Sequence, residues 1–366
     1  MKVFPVKSPF DGEQVVGVSP ELDNHHDQDW RRRVNNFTGR SLTHTALRTE
    51  QSGRSGRIVS LGQLLSPGVV NGLVTDKSVL QITETEQKEF LDITSGSGLA
   101  ASGETVTLNT ALHVDIKEIP VFAPVSVLSA ISVETGSETT EDEAAGSELS
   151  VRKLGPRLQD VIDAGLVLPR AAILVLQPVQ VEINLEQSDD PCELDAENYA
   201  YENWQLVDGA RLILYSWPEE VISLPGQPGD TDWRNQIANS IFMYEKNLPA
   251  GEVLPWMKTG VALAVIGFDE SWQAVFVDRH AVVRSGGKRR RSSSVLAEIG
   301  NRFMWQARFQ QFNEQLAEFL ISKQEGQSDD VLDSVTMAAT QFRYLPPVGV
   351  LPKGFIDLKT KKQNFF

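Results

Sequence analysis

Side chains of metal-ligand type come together once in this sequence, at His25-His26 with Asp23, Asp27 and Asp29. Adjacent histidines rarely converge on one ion without a folded scaffold, and this segment is polar, so a solvated arm is the simpler reading. His44, His113 and His280 stand apart, with no Ser or Cys beside them in motif context. A triad is recognised by geometry, but nothing such as G-x-S-x-G points to one. Gly96-x-Gly98 followed by Gly103 looks superficially like a phosphate cradle; the lysine and the following helix are missing, so β-turns are expected. Carboxylates are abundant, yet no spacing singles out a pair suited to glycoside hydrolysis. The expectation is a protein with no catalytic residues, metal or cofactor.

Chemistry for binding is more visible. Lys288-Arg289-Arg290-Arg291 is the one basic run, followed by Ser292-Ser293-Ser294. Nucleic-acid binding would want a wider basic surface with interleaved aromatics. A loop that meets an acidic neighbour and a solvated loop without a partner both remain open. The second candidate is the extended, proline-locked stretch with Tyr344-Leu345-Pro346-Pro347 at its centre. Seven tryptophans could line a carbohydrate site, but core and interface duty explains them more simply.

The elements that would carry these residues follow from periodicity. Residues 1–29 read as an arm containing one short strand, Glu13–Val18, before two short helices at 30–36 and 42–51. From Ile58 the texture changes to short strands at 79–82, 90–93, 105–108 and 112–116, punctuated by glycine turns; this pattern predicts a small β-sandwich or barrel. Residues 134–148 are acidic and low in complexity, a mobile linker by composition. A short amphipathic helix is expected from 150 or 151 to 164, with Gly165 past its end. Residues 171–185 form the clearest strand, with Val179, Val181, Ile183 and Leu185 on one face and Gln180, Glu182 and Asn184 on the other, so one face is expected to meet core and the other solvent or a partner. Within 201–218, Val207-Asp208-Gly209 reads as a turn leading into an alternating strand that ends at Trp217-Pro218.

Further on, 230–248 predicts a helix with Trp233, Ile237, Ile241, Tyr244 and Leu248 inward, capped by Asp230 or Thr231 and stopped by Pro249. Val261–Phe268 and 272–283 predict two strands joined at Asp269-Glu270-Ser271. Residues 301–321 form the longest expected helix, with Trp305, Phe309, Phe312, Leu316 and Phe319 as a core stripe rather than a coiled-coil seam. A last short helix is expected at 329–340. The fold class is therefore α+β: an arm with short helices (1–54), a small N-terminal β domain (55–133), the acidic linker (134–150), a larger mixed α+β domain (151–341) and an extended C-terminal segment (342–366).

The 366 residues carry a net charge of −15, with 41% apolar and 23% charged side chains. That composition is globular, and the acidity argues against non-specific binding to nucleic acid or anionic membrane. A single cysteine, Cys192, rules out an intrachain disulfide framework and fits a reducing compartment. No apolar run approaches the roughly 20 residues of a transmembrane helix, and the N-terminus lacks a secretory h-region. A cytoplasmic protein is expected. The terminal Phe365-Phe366, without a polar tail, points to a chain that continues.

Three segments taken in order carry a resemblance. They are Ser66-Pro67-Gly68-Val69-Val70-Asn71-Gly72-Leu73-Val74 with the Gly98-Leu99-Ala100 to Gly103-Glu104 turn; Tyr201-Glu202-Asn203-Trp204-Gln205 through Asp208-Gly209, Arg211-Leu212, Tyr215 and Trp217-Pro218; and Phe342-Arg343-Tyr344-Leu345-Pro346-Pro347 through Gly349, Leu351 and Pro352. Together they resemble a poorly characterised family of structural proteins of extracellular-type contractile injection systems, phage-tail-like particles of the kind found in cyanobacteria and other environmental bacteria. The resemblance implies an accessory or baseplate-region subunit, held by other subunits of the particle in a hetero-oligomeric assembly. It carries no catalytic residues. The alternatives are a carbohydrate- or cell-surface-binding module and a hydrolase with an unrecognised carboxylate pair.

Overall fold

A computed structural model describes residues 2–3, 13–18, 43–81, 87–132, 152–184, 204–230, 232–249, 252–288 and 302–324. In chain order the first elements are β1 (Lys2–Val3), β2 (Glu13–Val18), α1 (His44–Gln63), β3 (Gly68–Gly72), β4 (Thr75–Gln81), β5 (Gln87–Ile93), β6 (Gly96–Leu99), β7 (Thr105–Leu108) and β8 (Leu112–Asp115). After them come β9 (Pro120–Pro124), α2 (Val125–Ser132), β10 (Arg152–Arg157), α3 (Leu158–Asp163), β11 (Ala171–Asn184) and β12 (Trp204–Ser216). The series ends with α4 (Trp233–Asn247), α5 (Pro255–Thr259), β13 (Val261–Phe268), β14 (Ala274–Asp278) and α6 (Arg302–Gln324).

The molecule is α+β, built on an eight-stranded sheet ordered β10-β9-β12-β11-β13-β14, with β1 added to β12 and β2 to β11. Side-chain alternation along β11 sorts residues between two cores. Ala172, Leu174 and Leu176 join one apolar cluster, with Leu73, Leu91, Val106, Leu128 and Leu158. Ala171, Ile173 and Val175 join the other, with Trp233, Ile237, Ile241, Trp256 and Met304. The body half of this strand is thus buried on both faces, so it reads as a continuous apolar run. The expected core-and-solvent split does not apply there.

Strand β13 shows how the sheet keeps both faces filled. Its register with β11 shifts between Leu174 and Val175, the step at which Ala264 gives way to Ala262. The extra residue changes the parity. Val261 and Leu263 therefore share a core with Ile266 and Phe268.

The small strands form two open three-stranded sheets, β3-β6-β7 and β4-β5-β8, which do not close into a barrel, one of the two forms expected. Gly96–Leu99, expected to be a turn, is strand β6; Ala101-Ser102-Gly103 is the turn. Strand β9, within the segment assigned to the small domain, pairs with β12 and β10 in the large sheet. The β4-β5 pair also holds the large sheet's edge. Glu89 accepts from the Ala274 amide at 2.6 Å, while the ammonium of Lys77 donates to the Ala274 carbonyl.

Four local expectations are corrected. The helix expected from 150 or 151 begins as strand β10, because Gly155-Pro156 cannot continue a helix and β9 offers a pairing edge. Gly165 does follow the α3 cap with φ +65°. Asp208-Gly209 is no turn: β12 runs straight through it, pairing Gln180 with Asp208 and Val179 with Gly209. The helix expected to stop at 51 continues to Gln63. Finally, only Ala274–Asp278 of the 272–283 segment is strand. The elements expected at 30–36, 134–148, 329–340 and 342–366 lie outside the described residues, as does the His25-His26 segment.

Candidate functional site

Of the residues expected to form interaction surfaces, Lys288 is described; Arg289, Arg290, Arg291, Tyr344, Leu345, Pro346 and Pro347 lie outside the described residues. Lys288 ends a segment fastened to the start of β3. The Val69 amide donates to the Arg284 carbonyl at 2.9 Å, and the Gly286 amide to the Val69 carbonyl at 2.8 Å. The Ser66 amide donates to the Lys288 carbonyl at 2.7 Å. The Ser66 hydroxyl donates to the Ser285 carbonyl at 2.8 Å and accepts from the Lys288 amide at 3.1 Å. Two glycines make this approach possible: a Cβ at Gly68 would lie 2.1 Å from the Arg284 carbonyl oxygen, and one at Gly286 would lie 2.2 Å from that of Gly68. The exposed Lys288 therefore leaves the body from a fixed backbone position.

Below this junction Arg284 is buried and paired with the buried Glu245 of α4, Nη2 to Oε2 at 2.6 Å and Nε to Oε2 at 3.0 Å. The remaining Arg284 donors reach the carbonyls of Val283 at 2.9 Å and Ala281 at 3.0 Å. A buried ion pair is tolerated when its lone pairs and protons are also satisfied, and this one meets that condition on the guanidinium side.

The densest polar cluster lies between α4, α6 and the end of β14. Asp278 is 1% exposed and accepts from Arg234 Nε at 2.9 Å, Gln311 Nε2 at 2.7 Å and the Ala281 amide at 3.1 Å. Arg234 also reaches Glu318 at 3.3 Å and Glu314 at 3.5 Å. Burial pushes the Asp278 carboxyl up, but the Arg234 charge and the three hydrogen bonds outweigh it and hold the group below the usual carboxylate range. Burial likewise raises Glu314, and His280 together with Arg234 more than reverses it. Nε2 of His280 lies 3.0 Å from Glu314 Oε2 and 3.3 Å from Arg279 Nε. Of the two contacts only that with Arg279 has hydrogen-bond geometry, with Arg279 Nε donating to the ring nitrogen.

Both carboxylates are thus ionised at neutral pH. That suits charge pairing between helices, whereas a general acid or base needs a proton it can exchange near the working pH. Sequence reasoning missed this cluster because its members are scattered between 234 and 318, and His280 looked isolated. Of the expected aromatic stripe, Phe312 is buried and Phe309 is 47% exposed, while the side chains of Trp305, Leu316 and Phe319 lie outside the described residues. Met304, Ala307, Arg308, Gln311 and Gln315 are buried beside Phe312.

The other signals resolve locally. His113 stacks on Phe90 at 4.3 Å, with Nδ1 2.6 Å from Asp92. Trp217, Trp233, Trp256 and Trp272 are all buried, which gives these four tryptophans core duty rather than a glycan platform. Tyr215 is sealed in the sheet under Arg152, whose guanidinium lies 4.4 Å over the ring; burial pushes the phenol up to about 12. Among the described residues no group of three or more His, Cys, Asp and Glu is placed to hold a metal ion, and no helix is long and apolar enough to cross a membrane. No family model matches the sequence, and no curated protein matches it.

Proposed function

We propose that the chain is a non-enzymatic assembly subunit of a contractile injection system or phage-tail-like particle, associated with the baseplate region and held by other subunits. One observation supports this reading most: the way the chain treats its own sheet edges. Strand β12 pairs with β11 over all of its 13 residues, or roughly 43 Å at about 3.3 Å per residue. Body strand β13 covers β11 only as far as Leu176, and from Val179 onward the same edge is taken by β2 of the N-terminal arm. On the opposite edge β9 pairs at Leu214 and Tyr215, and β1 takes over at Gly209 and Ala210. A ribbon that outruns its body strands and accepts two short strands from the N-terminal residues has the geometry by which subunits join through strand addition.

The basic run that begins at Lys288 is the second contact of the proposal; Lys288 itself, its one described residue, is held at Ser66. Replacing Arg289, Arg290 and Arg291 with Glu should lower incorporation of the tagged chain into isolated particles at least about tenfold, the scale of losing a charged contact. Unchanged incorporation would remove the loop from the interface.

A further inference from the structure

Helix α1 wears its side chains the wrong way round for a helix packed on a core. Its buried positions are Ala46, Gly53, Gly56, Val59 and Gly62. Its large apolar residues point outward: Leu47 is 51% exposed, Ile58 68% and Leu61 64%. At Gly62 the helix docks backbone on backbone, since a Cβ there would lie 2.1 Å from the Gly103 carbonyl oxygen. That docking leaves the outer face with apolar side chains and nothing of this chain's described residues over them.

We propose that this outer face is where two copies of the chain meet, as an antiparallel pair of α1 helices related by a two-fold axis. The spacing supports a helical partner. Leu47, Gln51, Arg54, Ile58 and Leu61 follow at intervals of four, three, four and three, the repeat of a two-helix seam. The charges support a second copy in particular. Glu50 and Arg54 lie together on this face, 3.2 Å apart, and both are partly solvated. An antiparallel arrangement that sets Gln51 against Arg54 of the second copy brings each Arg54 beside the other copy's Glu50. The same register sets Leu47 against Ile58, so the apolar and the charged positions are self-complementary, as an isologous contact requires. A parallel pair would oppose Arg54 to Arg54.

A lipid surface fits less well. It would have to receive Gln51 and Arg54 in the middle of the stripe, on a chain whose net charge is −15. The face of a 20-residue helix is about 30 Å by 10 Å, well under the roughly 800 Å² per partner of a standard stable interface. The pairing is therefore weak in free solution and gains strength where many copies are held together. It does not depend on the particle reading and is tested on the purified chain alone.

Sedimentation velocity of the full chain, from about 1 μM to a few hundred μM, reads the weight-average mass over the range in which such a contact associates. The mass should rise from one chain toward two. Ile58→Asp with Leu61→Asp should weaken association at least about tenfold while leaving the melting midpoint unchanged, because both sites are exposed. Arg54→Glu should also weaken it, and Arg54→Glu combined with Glu50→Arg should restore it. A wild-type chain that stays monomeric throughout would overturn the proposal. So would a dimer indifferent to these substitutions, or binding to anionic phosphatidylserine vesicles without self-association.

Discussion

Asp278 and Arg234 join three parts of the molecule at one point: the carboxylate ends β14, the guanidinium rises from α4, and Gln311 of α6 donates to the same Asp278 oxygen that accepts from Arg234. Helix α6 is therefore held by directional polar contacts as much as by apolar burial. Gln315 Nε2 adds one more, donating to Asn235 at 2.6 Å.

Breaking that hub should be costly. Asp278→Ala leaves the half-buried Arg234 guanidinium with Glu314 and Glu318 as remaining carboxylates, and should cost about 3 kcal/mol, the lower end for breaking a buried pair. Asp278→Asn keeps an acceptor and should cost roughly half as much. Urea unfolding midpoints of the two variants check both the size and the order.

The same residues set an acid dependence. Asp278 and Glu314 are both held below the ordinary carboxylate range in the folded protein, so on acidification the unfolded chain takes up their protons first. Their contribution is complete above about pH 5 and is withdrawn as the pH falls through roughly 4 toward the folded values. The groups facing them are Arg234 from α4, His280 and the Ala281 amide from the segment after β14, and Gln311 and Glu318 from α6. Unfolding midpoints measured between pH 7 and about pH 3 should fall more steeply for the native sequence than for Asp278→Asn. Parallel curves would remove Asp278 from the acid response.

Two glycines with positive φ separate a steric from a purely backbone cost. Gly103 has φ +94°, and a Cβ there would meet the Val59 carbonyl oxygen at 2.1 Å; Gly165 has φ +65° and open space around it. Gly103→Ala should cost 2 kcal/mol or more, on the order of combined strain and clash, and should speed amide exchange in α1. Gly165→Ala should cost only about 1 kcal/mol and leave α1 exchange unchanged.

The junction at Ser66 yields a local prediction. Its hydroxyl serves both the Ser285 carbonyl and the Lys288 amide, so Ser66→Ala should cost about 1–3 kcal/mol and selectively accelerate exchange of the Lys288 amide. Exchange spread evenly over the molecule would mean that the hydroxyl does not anchor the loop.

The parts legible in the sequence were those where one periodicity dominated. Val261–Phe268 and the apolar stripe of α4 appear as expected because no competing signal interrupts them. Asp208-Gly209 misled because its turn preference is local, whereas the strand is held across the sheet, where Gln180 Nε2 donates to the Asp208 carboxylate at 3.1 Å. Helix α1 outruns the expected stop at 51 although Gly53, Gly56 and Gly62 are poor helix formers; at Gly62 the close approach of the Gly103 turn requires a glycine all the same. The buried polar cluster was invisible for a different reason. Its residues carry no fixed spacing, and only the crossing of α4, α6 and β14 brings them together.

The central claim is membership of a contractile particle. A tagged copy of the chain, recovered under mild lysis from cells that make such particles, would be imaged by negative-stain electron microscopy. The account predicts sheathed tubes in the eluate with the tag at one end. A monodisperse chain without tubes, from cells that do contain them, would contradict it.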